Sequence, residues 1–203
     1  MENEKLEIPR APDGTTVQQF WADWLPEVLA RFSERMAGNA PGVHTALSFR
    51  VDGENGGDWS VVVDEGKLSV EQGLRPDAAL TLKLSEQDFL DAVTGKRDDL
   101  IPGRKEGPAM IRPEKAAANL GKGVANLSKM SGTILFRATH ADGDFECLIH
   151  LGEGHSEEPT TTITADQDFL RKMTDPKKGM MKGFITGKIK IKGSMGMIKN
   201  LAK

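Results

Sequence analysis

The sequence predicts an α+β fold of two related units, and three observations predict it. Stretches of period-two hydrophobicity are separated by Gly- and Asp-rich turns, stretches of helical spacing lie between them, and the order of both recurs in the second half of the chain. With 203 residues, 38% of them hydrophobic, the chain can build a packed core.

Residues 1–14 carry Pro9, Pro12 and Gly14 among mixed charges and are expected to form a flexible arm. Thr15 or Thr16 then caps a helix whose apolar positions are Val17, Phe20, Trp21, Trp24 and Leu25. Pro26 is expected to divide it from a second run holding Val28, Leu29, Phe32 and Met36, with Gly38 as its stop. At this spacing both tryptophans read as core rather than as ligand contacts.

From His44 onward the period changes to two. Leu47, Phe49 and Val51 mark one strand, Trp59, Val61 and Val63 a second, Leu68 and Val70 a third, and Leu80, Leu82 and Leu84 a fourth, which together read as an antiparallel meander. Ser85 and Asp88 cap a further helix with Phe89, Leu90 and Val93 inward and Gly95 as its end.

The second half repeats this order. Phe49-Arg50 recurs as Phe136-Arg137, 87 residues on, and Gln87-Asp-Phe-Leu90 recurs as Gln167-Asp-Phe-Leu170, 80 residues on. The difference falls between Gly152 and Thr160, where a polar loop replaces the third strand. At the offset of 80, Gly107 to Arg112 overlies Gly187 to Lys192, so the first unit carries a degraded version of the last strand, weakened by Pro108. Ala117, Leu120, Val124 and Leu127 lie at helical spacing, and this helix, over about 114–129, is expected to be shared by two meander sheets and to pack between them. The expected organisation is an arm at 1–14, a first unit at 15–112 and a second at 113–203.

A net charge of −3 removes the electrostatic reason to expect nucleic acid. The single cysteine, Cys147, excludes an intramolecular disulfide and suits a reducing compartment; no apolar run spans a bilayer, so a cytoplasmic protein is expected. Cys147 alternates with Phe145, Ile149 and Leu151 and is expected to be buried and unreactive. The four histidines, His44, His140, His150 and His155, fall on separate elements with no ligand spacing, so neither a metal nor any other cofactor is expected.

Five methionines, Met173, Met180, Met181, Met195 and Met197, fall in the last quarter of the chain. Flexible thioethers suit an irregular core and an adaptable cavity equally. The final stretch alternates Lys188, Ile189, Lys190, Ile191 and Lys192 in strand register, breaks at Gly193-Ser194, and crowds Met195, Met197, Ile198 and Leu201 into a short helical run.

This ending resembles that of sterol carrier protein 2 domains, which read as a Gly-Lys-hydrophobic-Lys strand, then Gly-x-Met-Gly and an apolar helix. Lys188, Ile189, Lys190, Ile191, Gly193, Met195, Gly196, Met197 and Leu201 match that pattern. The resemblance covers most of residues 131–203 and, less closely, 28–112. It implies a helix before a sheet of mixed pairing, helices over one face, and a tunnel for sterols, fatty acids or acyl-CoA. It supplies no catalytic residues, so no enzyme is expected.

It also favours the cavity over the core for the methionines. The expected ligand contacts are Met173, Met180, Met181, Phe184, Ile185, Ile189, Ile191, Met195, Met197, Ile198 and Leu201, all in the second unit. The expected function is noncatalytic binding and transfer of a hydrophobic ligand, with passing contact at a membrane surface. The alternative is a scaffold whose related domains bind another protein.

Overall fold

The computed structural model describes residues 6–36, 42–98, 109–111, 119, 123–124, 126–127, 129–141, 143–152, 156–173 and 176–194. Ten strands and a small set of helices make an α+β fold. The strands are β1 (Leu6–Ile8), β2 (His44–Asp52), β3 (Gly57–Asp64), β4 (Lys67–Gln72), β5 (Ala78–Ser85), β6 (Ala109–Ile111), β7 (Gly132–Thr139), β8 (Phe145–Leu151), β9 (Thr161–Asp166) and β10 (Ile189–Gly193).

One helical rod runs through α1 (Val17–Gln19), a π-helical turn (Phe20–Trp24) and α2 (Leu25–Met36). Thr16 begins it with a capping box: its hydroxyl accepts from the Gln19 N–H at 3.2 Å, and the Gln19 amide oxygen accepts from the Thr16 N–H at 3.0 Å. The expected break at Pro26 is instead the π-helical turn, in which the Leu25 N–H reaches back to the Phe20 carbonyl. Proline has no N–H and crowds the carbonyl four residues before it, and one widened turn relieves that crowding without ending the helix. The later helices are α3 (Glu86–Thr94), α4 (Gln167–Arg171) and α5 (Pro176–Ile185). Ser85 caps α3 at Asp88 N, and Gly95 closes it in the left-handed region at φ 86°.

The two sheets expected from the repeat are one. Eight strands run in the order β10-β9-β7-β8-β5-β2-β3-β4. Within each unit the pairing matches: β2 lies antiparallel to β3 and parallel to β5, and β7 lies antiparallel to β8 and parallel to β9. Neither unit is therefore a simple meander, because β5 in the first and β9 in the second cross back beside the unit's first strand. Period-two alternation sets which side chains share a face and leaves the neighbouring strand open.

The seam is an antiparallel pairing of β5 with β8, Leu80 opposite Leu151 and Leu82 opposite Ile149. Both departures from the repeat meet there. In the second unit β9 carries β10 on its outer edge, whereas the first unit's counterpart, β6, pairs with β1 (Glu7 opposite Met110) and leaves β5 open. In the first unit β3 carries β4, whereas the second unit has no such strand among the described residues and leaves β8 open. Two unpaired edges expose rows of N–H and C=O groups, and pairing them with each other satisfies both.

β1 also changes the picture of residues 1–14. Leu6–Ile8 is a strand, Ala11 is buried, and the Ala11 N–H donates to the Val93 carbonyl at 3.0 Å. Backbone pairing with β6 and α3 ties down a segment whose composition gave no sign of it; residues 1–5 lie outside the described residues. Of the helix expected over 114–129, residues 119, 123, 124, 126, 127 and 129 are described; 119, 123, 124, 126 and 127 are helical and 129 lies in a turn. Leu127 packs with Met130, Ile134 and Leu151 of the second unit and Leu80 of the first.

One face of the sheet is apolar from edge to edge. Val51, Trp59, Leu84, Ala138, Phe145, Cys147, Ala165 and Ile189 share a buried cluster with Val17, Phe20 and Trp21 from the rod, Phe89 from α3, Leu170 from α4, and Met173. The other face is polar and partly covered by the crossover loops. Ser48 and Ser60 meet at 2.8 Å beneath one loop, where Arg75 N donates to Ser48 and Ser60 donates to the Gly73 carbonyl.

Cys147 is buried in the apolar face, and desolvation pushes its thiol up to about 12 from 9.0. A shift of that size cuts the thiolate at neutral pH about a thousandfold, so labelling by a thiol reagent should be slower by at least that factor than in denaturant. Labelling at the rate of an exposed thiol would place Cys147 at the surface.

Candidate functional site

The rod carries more apolar surface than the sheet covers. Val17 and Trp21 face the sheet, while Phe20, Trp24, Leu25, Val28, Leu29 and Phe32 turn along its flank. A π-helical turn adds a residue to the helical repeat and so rotates the turns after it, which widens the apolar stripe beyond a single face. The flank, the α3 residues Ala92 and Val93, Leu68 of β4 and the strap Ile8-Pro9-Arg10 line an open cavity of about 380 Å³. That volume falls within the range of small-molecule sites.

Three contacts hold the walls. Ser33 on α2 accepts from Leu68 N at 2.8 Å and donates to the Leu68 carbonyl at 3.4 Å, which fastens the rod to the edge strand β4. The strap is held by the Ala11 to Val93 bond, and Arg10 pairs with Asp98. Gly95 lies beneath Arg10, whose Cδ would stand 2.4 Å from a Cβ built there, so a side chain at this left-handed position would have to push Arg10 aside. Among the described residues, Arg10 and Asp98 are the only charged members of the lining, and they pair with each other. The remaining lining is apolar and suits a ligand of the same character.

The second unit has a pocket of about 490 Å³ of different chemistry, lined by Phe169, Met173, Gly179, Thr186 and four lysines, Lys172, Lys178, Lys182 and Lys188. Asp166 stands at its edge. It caps α4 through Phe169 N at 2.8 Å and accepts from Lys188 Nζ at 2.9 Å, and the Lys188 hydrogen bond holds its carboxyl below the ordinary value of 3.8. Its contribution to stability is present above pH 3.8 and is lost as pH falls through the lower folded value. Asp166→Ala is expected to lower stability by about 1 kcal/mol, seen as an earlier urea midpoint at unchanged slope.

The eleven expected contact residues divide three ways. Met173 and Ile189 are buried and Ile191 packs against the same core. Met180, Met181, Phe184 and Ile185 on α5 are exposed to solvent. Met195, Met197, Ile198 and Leu201 lie outside the described residues. The cavity with the lysine-free apolar lining is in the first unit, and of its residues Trp24 reads as core from its helical spacing. The available sign was the excess of apolar positions between Phe20 and Phe32, too many for one buried stripe.

The histidines are dispersed. His44 pairs with Asp64 at 2.6 Å at the surface, and buried His150 meets the Thr133 hydroxyl at 3.2 Å. Among the described residues no three His, Cys, Asp or Glu side chains come close enough to hold a metal.

The apolar pocket thus lies at the flank of the sheet, between the rod, α3, the edge strand β4 and the strap, with one internally paired set of charges. The chain matches the SCP-2 sterol transfer family over residues 27–105 and 113–203, and it belongs to that family. It is similar to sterol carrier protein 2 from Yarrowia lipolytica in its apo form, at 16% identity over 90% of this chain and 84% of that one, with a TM-score of 0.25. It is also similar to the sterol carrier protein domain 2 of Helicoverpa armigera, at 17% identity over 94% of this chain and 89% of that one, with a TM-score of 0.22. No curated protein matches the chain. Among the described residues no helix is long and apolar enough to cross a membrane.

Proposed function

We propose that this protein is a noncatalytic, cytoplasmic carrier of a hydrophobic ligand such as a sterol, fatty acid or acyl-CoA, with units at 15–112 and 113–203. The observation that carries this reading is the first-unit cavity of about 380 Å³, apolar apart from the Arg10 and Asp98 pair. Burial of ligand surface at about 25 cal/mol per Å² supplies the driving force and needs no reactive group. In the second unit, Met173, Ile189 and Ile191, with Met180, Met181, Phe184, Ile185, Met195, Met197, Ile198 and Leu201, are proposed as further ligand contacts.

Delipidated protein titrated with a fluorescent fatty acid tests this reading. Leu29→Trp places a larger side chain in the first-unit cavity. It is expected to weaken binding about tenfold or more while changing stability by under about 1 kcal/mol, whereas a filled core would lose about 1 to 3 kcal/mol to overpacking. If the wild type binds no fatty acid or sterol, the carrier reading fails and the scaffold reading replaces it.

A further inference from the structure

The helix α5 is built inside out. Its glycines, Gly179 and Gly183, form one row four residues apart, and that row faces inward: a Cβ on Gly179 would stand 2.1 Å from Met173, and one on Gly183 would stand 2.6 Å from Phe169 and 2.7 Å from Ile189. The bulky residues take the outer side. Met180 and Phe184, the row beside the glycines, are 40% and 45% exposed, and Met181 and Ile185, the next row round, are 70% and 80% exposed. The exposed Lys178 and Lys182 form the row after that. An ordinary surface helix buries such side chains and shows its small or polar ones to water.

Charge is segregated to the same region. Residues 167–203 hold ten Lys and Arg against two acids, Asp168 and Asp175, a local charge of +8 in a chain of net −3, so the remaining residues carry −11. Lys188, Lys190 and Lys192, all exposed, lie just beyond α5 on the approach to β10 and along it.

We propose that α5 docks on an anionic phospholipid bilayer, with Met181 and Ile185 in the interface and Lys178 and Lys182 against the headgroups. Thioether, phenyl and isoleucyl groups beside lysines match a surface that is apolar beneath and negative above. A nucleic acid would meet the lysines and leave the four apolar side chains in water. The proposal deepens the carrier reading and rests on it, because β10 and β4 are opposite edges of the sheet: the second unit meets the membrane while the first holds the ligand.

Flotation of the full chain with vesicles of phosphatidylcholine alone, and of phosphatidylcholine mixed with phosphatidylglycerol, tests it. The wild type is expected to float with the mixed vesicles. Lys178→Gln and Lys182→Gln should each weaken that partitioning about fivefold, and the paired change Met181→Gln and Ile185→Gln should leave the protein in the soluble fraction. All variants should keep the wild-type circular dichroism, since the replaced side chains face solvent. Equal partitioning onto neutral and anionic vesicles, or flotation of the glutamine pair, would overturn the proposal. So would a wild-type dimer in light scattering that the glutamine pair returns to monomer, which would assign the face to a second copy of the chain. Fatty-acid binding measured on the same samples separates the two readings: binding without flotation sinks docking alone, and flotation without binding upholds docking and sinks the carrier.

Discussion

Trp21→Ala is expected to lower the stability of the protein by about 3 to 5 kcal/mol. Trp21 is 2% exposed and joins the rod to the sheet: it lies parallel to Trp59 at 5.4 Å and to Phe89 at 5.7 Å, and Phe49 stands 5.0 Å away. Removing the indole leaves a cavity between three elements that cannot close without moving the rod, and each aromatic pair loses its partner as well as its buried area. Trp21→Phe should recover most of the loss. It keeps an aromatic face against Trp59 and removes an indole N–H that has no hydrogen-bond partner among the described residues. Denaturation by guanidinium chloride measures both. A loss under about 1 kcal/mol for Trp21→Ala would mean that the aromatic cluster does not hold the rod to the sheet.

Stability is expected to decline above pH 9 with a component that belongs to Cys147. Its thiol titrates near 9.0 when the chain is unfolded and is pushed up to about 12 by burial when folded. Between those values the unfolded state has released the proton and the folded state retains it, so a rise in pH favours unfolding. The contribution is complete below pH 9.0 and falls by about 1.4 kcal/mol per pH unit toward 12. Cys147→Ala abolishes this component at a modest constant cost, because alanine cannot ionise and leaves only a small space beside Phe145 and Ile149. Urea midpoints of wild type and variant measured from pH 7 to pH 11 should therefore converge as pH rises past 9 and then cross, the variant being the more stable at pH 11. Parallel curves would show that the folded thiol titrates as an ordinary one.

Much of the secondary structure was legible because it rests on local rules. Ser85 with Asp88 and Gly95 at φ 86° act within a few residues of chain, and of the two threonines that could cap the rod, Thr16 does so. The strands came from alternation, and β8 shows how far that reaches: Phe145, Cys147 and Ile149 do share the apolar cluster, and His150 does not. Pro26 was a local sign read too strictly, since a π-helical turn can absorb what a break would have relieved.

The cavity was less legible for a physical reason. A side chain that lines a void and one that fills a core have the same polarity and the same spacing, and only the distance to the opposite wall separates them. Trp24 therefore reads as core and yet lines the cavity, while Met181 and Ile185, on a helix whose glycines take the inward side, stand in water. Likewise no short-range pattern relates Leu6–Ile8 to Ala109–Ile111, about a hundred residues away.

By itself the sequence determined that this protein has two related units, which residues share a face along β2, β3, β5, β7, β8 and β10, and where the helix α3 begins and ends. Those properties come from alternation, capping and repetition, all of which are written in residue order. Only the tertiary structure decided that the units form one sheet through β5 and β8, that a lysine-free apolar cavity lies in the first unit, and that α5 presents its methionines outward. Each of these depends on which unsatisfied edge or face comes to lie against which, and such partners are distant in the chain and alike in composition, so the choice among them is made by packing.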